Sequence, residues 1–250
     1  MKIIAIIPSR ISSIRLPRKP LADICGKPMI QWVYEAVSSA KFIDNVIIAT
    51  DSQEIMDECK SFGADCILTS PDLPSGTDRI HSAYKLSNQD ADIILNVQGD
   101  EPFIQSQMLD DFLAYISGKD FDVATVVTKI QDNEDIFNPS VVKAVLAENN
   151  YALYFSRSPI PYLRDIPQEK WVNNATYWKH IGIYAYKTHS LNRFVGLPQS
   201  NLEKIEKLEQ LRLMEDEAKY ICFETSYELL AIDTPKDLEK ARVKMGKIRK

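Results

Sequence analysis

Short apolar runs alternate with amphipathic stretches along most of the chain. The runs at 2–8, 45–50, 65–69, 92–98, 121–129, 141–148, 180–187, 219–224 and 228–232 have strand length and are rich in Ile, Val, Leu and aromatic residues. They predict strands. Apolar positions recurring every three to four residues predict helices over 28–40, 52–62, 77–86, 106–117, 202–216 and 235–245. As far as residue 117 strand, loop and helix follow one another in turn, which predicts an α/β fold on a mostly parallel sheet with helices on both faces. From about residue 130 to 190 the pattern changes to strands and irregular segments such as Ser158-Pro-Ile-Pro-Tyr162, a β-rich elaboration. No internal repeat or low-complexity linker divides the 250 residues, so one domain over 1–250 is the expectation. The opening MKIIAIIPSR has too short an apolar run for a signal peptide or a membrane span, and it reads as a buried first strand.

A parallel sheet of this kind presents its ligand site at the carboxyl ends of its strands. The loop after the first predicted strand, Pro8-Ser-Arg-Ile-Ser-Ser-Ile-Arg-Leu-Pro-Arg-Lys-Pro-Leu21, carries Arg10, Arg15, Arg18 and Lys19 with no acid before Asp23. Cations at that density repel one another unless an anion shares the space, so the loop is expected to hold phosphates rather than to be merely solvated. The chain has only eight glycines, with neither a GxG arrangement nor GxxxxGK[ST]. Side chains rather than a glycine nest must then hold the phosphates, which disfavours nicotinamide-dependent oxidoreductases and P-loop NTPases.

Two aspartates end apolar runs. Asp100 closes Ile93-Ile-Leu-Asn-Val-Gln-Gly-Asp100, and Asp233 closes Leu229-Leu-Ala-Ile-Asp233. Carboxylates at strand ends of one sheet can meet over a divalent ion, and Mg²⁺ commonly takes one or two carboxylates with phosphate oxygens and water. For Asp233 the competing reading is a helix N-cap before Pro235, and for Asp100 an ordinary aspartate turn.

A net charge of −5 argues against a general nucleic-acid binder. The hydrophobic fraction of 45% and charged fraction of 26% are those of an ordinary globular protein. Cys25, Cys59, Cys66 and Cys222 form no CxxC pair, and His81, His180 and His189 stand at no zinc-ligand spacing, so reduced cysteines without a metal are expected.

Seven segments together resemble the Kdo (3-deoxy-manno-octulosonate) cytidylyltransferase family, in the family's order and over nearly the whole chain. They are the loop from Ile7 to Leu21, Ser75-Gly-Thr-Asp-Arg79, Asn96-Val-Gln-Gly-Asp-Glu-Pro102, Tyr151-Ala-Leu-Tyr-Phe-Ser-Arg-Ser-Pro-Ile-Pro161, Lys179-His-Ile-Gly-Ile-Tyr184, Leu208-Glu-Gln-Leu-Arg212 and Ile232-Asp-Thr-Pro235. The resemblance implies a nucleotide-diphospho-sugar transferase-like fold, CTP and Kdo as substrates, CMP-Kdo and pyrophosphate as products, and Mg²⁺ as cofactor. It implies triphosphate binding by Arg10 and Lys19 with help from Ser13 and Arg15, and cytidine binding by Ser75 and Arg79. Asp100 and Asp233 would bind the metal. Gln98, Arg157, His180, Tyr184, Glu209 and Gln210 would line the sugar-acid pocket. Read from the residues alone, His180 is rather a core histidine and Arg157 a surface ion pair, and Glu209 and Gln210 fit a solvated helix face.

A homodimer built through the 130–190 elaboration, a cytoplasmic location and a place in lipopolysaccharide synthesis are further implications, with neither nucleic acid nor membrane as partner. The family usually has glycine where Arg18 stands, and glycine where Ala231 stands. These departures leave 8-amino-Kdo or another sugar acid as an alternative acceptor, and a catalytically inactive CTP-binding regulator as an alternative of a different class.

Overall fold

The computed structural model describes residues 1–13 and 15–248; Ile14, in the basic loop, lies outside the described residues. The backbone packs as two compact units, Met1–Leu113 with Tyr227–Lys250, and Ala114–Ser226.

In the first unit β1 (Ile3–Ser9) leads through a short hairpin, β2 (Asp23–Ile24) and β3 (Lys27–Pro28), into α1 (Met29–Ser38). Then come β4 (Asn45–Thr50), α2 (Gln53–Ser61), β5 (Asp65–Leu68), α3 (Gly76–Ser87), β6 (Ile93–Asn96) and α4 (Ser106–Ile116), and the last helix, α10 (Pro235–Ile248), belongs here too. The strands lie in the order β6-β1-β4-β5, all parallel, with Ile4 opposite Asn45 and Ile3 opposite Ile93. Ile4, Ala5, Ile6 and Ile7 are wholly buried, as a strand covered on both faces requires. The shared direction brings the loops after Ser9, Thr50, Leu68 and Asn96 to one edge of the sheet, which is where the basic loop and Asp100 are found.

The second unit contains β7 (Val123–Lys129), α5 (Asn133–Phe137), β8 (Lys143–Leu146), β9 (Ala152–Ser156), α6 (Trp171–Asn174), β10 (Trp178–Lys187), α7 (Thr188–Gly196), α8 (Asn201–Glu206), α9 (Gln210–Glu215) and β11 (Tyr220–Glu224). Here β11 runs parallel to β7, whereas β10 is antiparallel to β7 and β8, and β8 to β9. The change from an all-parallel to a mixed pattern matches the expected β-rich elaboration. Trp171 and Tyr177 stack within a satellite core with Ile130, Ile136 and Val141.

Two predicted elements differ. Residues 228–232 form no strand: only Ile232 is buried, and its amide donates to the Asp100 carbonyl at 3.0 Å in place of a ladder. An apolar run signals burial but does not supply a neighbouring strand. The single helix expected over 202–216 is two, α8 and α9, because Lys207 turns left-handed (φ 51°) between them. No glycine or proline announces that break. Strand β9 and the helices α5, α6 and α7 were not among the expected elements; α5 and α6 are too short to carry a periodic signal. All four cysteines are free thiols.

Gly99 is fixed by close approach. A Cβ there would lie 3.0 Å from the Pro8 carbonyl oxygen and 3.3 Å from Ile30 Cδ1. Gly99→Ala is therefore expected to lower stability by about 1–3 kcal/mol through overpacking, read as a lower urea midpoint; an unchanged midpoint would show that Pro8 and α1 yield freely.

Candidate active site

At the carboxyl edge of the parallel strands a cleft of about 280 Å³ is lined by Arg10, Ser13, Lys19, Gln98 and Asp100, among others. Its centre is an ion cluster. Lys19 Nζ donates to Asp100 Oδ2 at 2.6 Å and to Asp233 Oδ1 at 3.1 Å. Arg15 reaches the same Asp233 oxygen at 3.0 Å from an exposed position. Burial opposes the charge on Lys19, but Asp100 and Asp233 outweigh it and hold the ammonium above its usual pKa.

The local sequence explains how each group arrives. Lys19 opens a single 3₁₀ turn, Lys19–Leu21, entered through Arg18 in the left-handed region (φ 54°, ψ 33°). That conformation is one glycine adopts at no steric cost, so the glycine usual at this position has a backbone reason. The Arg18 side chain turns away to pair with Glu54 on α2. Asp233 is released from capping duty, because Thr234 Oγ1 accepts the Asp237 amide at 3.2 Å and the Asp237 carboxylate accepts the Thr234 amide at 3.1 Å. The Ile232–Asp100 backbone bond ties the two aspartate-bearing segments together.

Among the described residues no group of three or more His, Cys, Asp or Glu is arranged to hold a metal ion. The donors that do converge, two carboxylates already sharing one cation, suit a Mg²⁺ completed by phosphate oxygens and water. Arg10 lines the cleft and donates to the Leu73 carbonyl at 3.1 Å, and Gln98 donates to Asn96 Oδ1 at 3.3 Å. The Ser13 hydroxyl accepts the Leu16 amide at 3.4 Å.

Ser75 and Arg79 are not among the residues lining the cleft. The Ser75 hydroxyl caps α3, accepting the Asp78 amide at 3.0 Å and donating to its carboxylate at 2.6 Å. Arg79 is fully buried, with Nη1 on Thr69 Oγ1 at 2.5 Å and Nη2 on Asp51 Oδ2 at 3.2 Å. Neither Asp51 nor Thr69 was singled out from sequence. The available signal was their position immediately after two apolar strands.

In the second unit, His180, Tyr184 and Gln210 form one buried polar cluster. Thr125 Oγ1 donates to the Ile183 carbonyl at 2.8 Å, so at 2.9 Å it accepts from His180 Nε2–H, which leaves Nδ1 with a free lone pair toward its surroundings. Burial drops the His180 pKa to about 3, which keeps the ring neutral. The Tyr184 hydroxyl donates to Gln210 Oε1 at 3.2 Å; burial, then Tyr186 and Glu209, raise its pKa. Gln210 Nε2 is buried with no protein partner among the described residues. Glu209 is half-buried beside it, just before α9. Arg157 is spent on backbone carbonyls, with Nε on Glu206 at 2.8 Å and Nη1 on Pro139 at 2.9 Å. Lys143, wholly buried, also holds the Arg157 carbonyl at 2.7 Å. Lys143 and Glu206 went unremarked in the sequence because nothing local marks a lysine for burial.

Residues 4–221 match the cytidylyltransferase family. The 3-deoxy-manno-octulosonate cytidylyltransferase of Thermodesulfovibrio yellowstonii is 45% identical over 249 residues, 96% of this chain and 97% of the relative. That of Francisella tularensis subsp. tularensis is 48% identical over 240 residues, 95% and 96% of the two chains. A solved structure of CMP:2-keto-3-deoxy-manno-octonic acid synthetase complexed with CTP superposes with a TM-score of 0.91 at 40% identity, covering 99% of this chain and 100% of that one. The chain belongs to the cytidylyltransferase family, among its 3-deoxy-manno-octulosonate cytidylyltransferases. The α/β fold and the family expected from the sequence are thereby borne out.

The depressed pKa of His180 has a sign that can be checked. The unfolded imidazole titrates near 6.5 and the folded one at about 3, so the contribution is full above 6.5 and is lost as pH falls toward 3. His180→Gln is expected to flatten the fall in unfolding free energy across that window. A His180 NMR resonance that titrates above pH 5.5 would contradict the assignment.

Proposed function

We propose that this protein transfers CMP from CTP to the anomeric hydroxyl of 3-deoxy-manno-octulosonate, giving CMP-Kdo and pyrophosphate. The observation that carries this reading is the Lys19 ammonium held between Asp100 and Asp233 in a cleft that also contains Arg10. The names of the relatives supply the substrates.

In this reading the hydroxyl oxygen attacks the α-phosphorus, the bond from that phosphorus to the α–β bridging oxygen breaks, and the hydroxyl proton passes to solvent. Arg10 and Lys19 would neutralise the phosphate oxygens as negative charge moves onto the departing pyrophosphate, with Ser13 and Arg15 supporting from the same loop. Ser75 and Arg79 would support the cytidine end, acting from their buried positions through the start of α3. Asp100 and Asp233 would hold Mg²⁺, which when bound would orient and polarise the α-phosphate and acidify the attacking hydroxyl.

The acceptor brings a carboxylate and several hydroxyls. In the second unit the His180 Nδ1 lone pair and the unpartnered Gln210 Nε2 offer one acceptor and one donor to such a ligand, with Tyr184 and Glu209 beside them, and Arg157 would supply the cation for its carboxylate. Gln98 would also serve the acceptor. The second unit, and residues 130–190 within it, would also carry a homodimer contact, inside a single nucleotidyltransferase domain. Working on Kdo, the protein would serve lipopolysaccharide synthesis in the cytoplasm, where CTP is available. No helix among the described residues is long and apolar enough to cross a membrane.

Pyrophosphate release from CTP and Mg²⁺ is the test, with Kdo, 8-amino-Kdo and sialic acid offered separately. Release with Kdo is expected. Release with 8-amino-Kdo alone would move the acceptor assignment, and silence with all three would reduce the protein to a CTP binder. Asp100→Ala, Asp233→Ala and Lys19→Ala are each expected to lower kcat by about 10²–10³, while Arg157→Ala should act mainly on the KM for the acceptor. Near-normal turnover in Asp100→Ala would remove the metal assignment.

A further inference from the structure

Asp51 stands at the carboxyl end of β4, and its side chain is only 7% exposed. Its two oxygens face two different parts of the nucleotide site. Oδ1 accepts the backbone N–H of Ile11 at 3.1 Å, the residue directly after Arg10 in the basic loop. Oδ2 accepts Arg79 Nη2 at 3.2 Å.

Arg79 is wholly buried and has one other side-chain anchor, Thr69 Oγ1, which in turn donates to the Thr50 carbonyl at 3.0 Å. Burial, and the nearby Arg10 guanidinium, both disfavour the charge on Arg79, and Asp51 opposes them. Asp51 is thus the carboxylate paired with Arg79 and also the clamp on the Ile11 amide. Strand, buried cation and phosphate loop meet at one side chain.

We propose that Asp51 is a positioning residue for CTP: it fixes the start of the basic loop by holding the Ile11 amide against the rigid Arg79 strut, and so sets where Arg10 meets the triphosphate. The inference rests on the reading of the cleft as a CTP site. It adds a residue that touches no substrate and acts through the loop. Arg79 then serves the nucleotide indirectly, as the fixed cation that keeps Asp51 oriented.

The consequence is selective. Without Asp51 the loop loses the bond that anchors its first turn to β4, while nothing in the second unit is touched. The binding defect should therefore fall on CTP and spare the sugar acid. Thr69→Val is the matched control, since it removes the other Arg79 anchor and leaves the Asp51–Ile11 bond in place.

The experiment is calorimetric titration of the full-length protein with CTP and Mg²⁺, with no sugar acid present, for wild type, Asp51→Ala and Thr69→Val. Turnover then gives the KM for each substrate. Asp51→Ala is expected to weaken CTP about tenfold, the size of one charge-assisted hydrogen bond, with the KM for the acceptor changed less than about twofold. Thr69→Val should lose stability but bind CTP within about twofold of wild type. Should Asp51→Ala fail to fold, the isosteric Asp51→Asn carries the test with a CTP loss of about threefold or more, because its amide faces Arg79 without charge.

Trypsin adds a readout independent of binding, since faster nicking after Arg10, Arg15 or Arg18 in the folded Asp51 variant is expected from a released loop. CTP affinity unchanged in a folded Asp51 variant, or an equal loss in Thr69→Val, would overturn the inference. Failure of wild type to bind CTP would instead overturn the reading on which it rests.

Discussion

The ammonium of Lys19 between the carboxylates of Asp100 and Asp233 is the interaction on which the site depends. It joins residues 81 and 214 positions apart in sequence. It also gives two acidic groups that meet at one ammonium a reason to stay together. Two carboxylates facing the same point repel unless a cation shares it, and the pKa of Lys19 stands above its usual value because this exchange favours the charged form. The backbone bond from Ile232 to Asp100 and the Thr234–Asp237 cap then fix both aspartates without using their side chains. In the proposed reading this arrangement would receive a metal ion and the phosphates that accompany it.

Around this centre the unit made of residues 1–113 and 227–250 works by fixing loops rather than by lining the cleft with glycine. Gly99 admits the Pro8 carbonyl, Arg18 adopts a left-handed turn, and Asp51 pins Ile11. Arg79 and Ser75 lie one layer behind, as strut and helix cap. The second unit works with neutral groups, with a histidine kept uncharged by burial and a buried glutamine whose Nε2 lacks a protein partner among the described residues. In the proposed reaction the charges would serve the phosphates, and neutral donors and acceptors are what a polyhydroxy acid would meet.

Much of this was legible in the sequence. The strand Asn45–Thr50 is bounded as expected, because a run rich in β-branched residues ends at Asp51-Ser52. The parallel first half and the loops at its carboxyl edge followed from the alternation of elements; Arg10, Lys19 and Asp100 line one cleft, and Asp233 meets Lys19. What stayed hidden depends on long-range partners. The run at 228–232 has the composition of a strand but no neighbour to pair with. The turn at Lys207 reflects packing of α8 against α9 rather than any local breaker. Arg79 reads as a ligand-facing arginine until Asp51 and Thr69 are seen to enclose it. No local pattern marks Lys143 for a cage of three carbonyls, those of Asn138, Val141 and Arg157.

The central claim is that Asp100 and Asp233 are one cation site shared between Lys19 and a nucleotide-bound metal. Mn²⁺ binding to the protein–CTP complex, followed by electron paramagnetic resonance, tests it most directly. Asp100→Asn and Asp233→Asn should each weaken Mn²⁺ in the ternary complex by about tenfold or more, and by similar factors. Undiminished Mn²⁺ binding in either variant would contradict the account, since a shared site cannot lose one carboxylate and keep its ion.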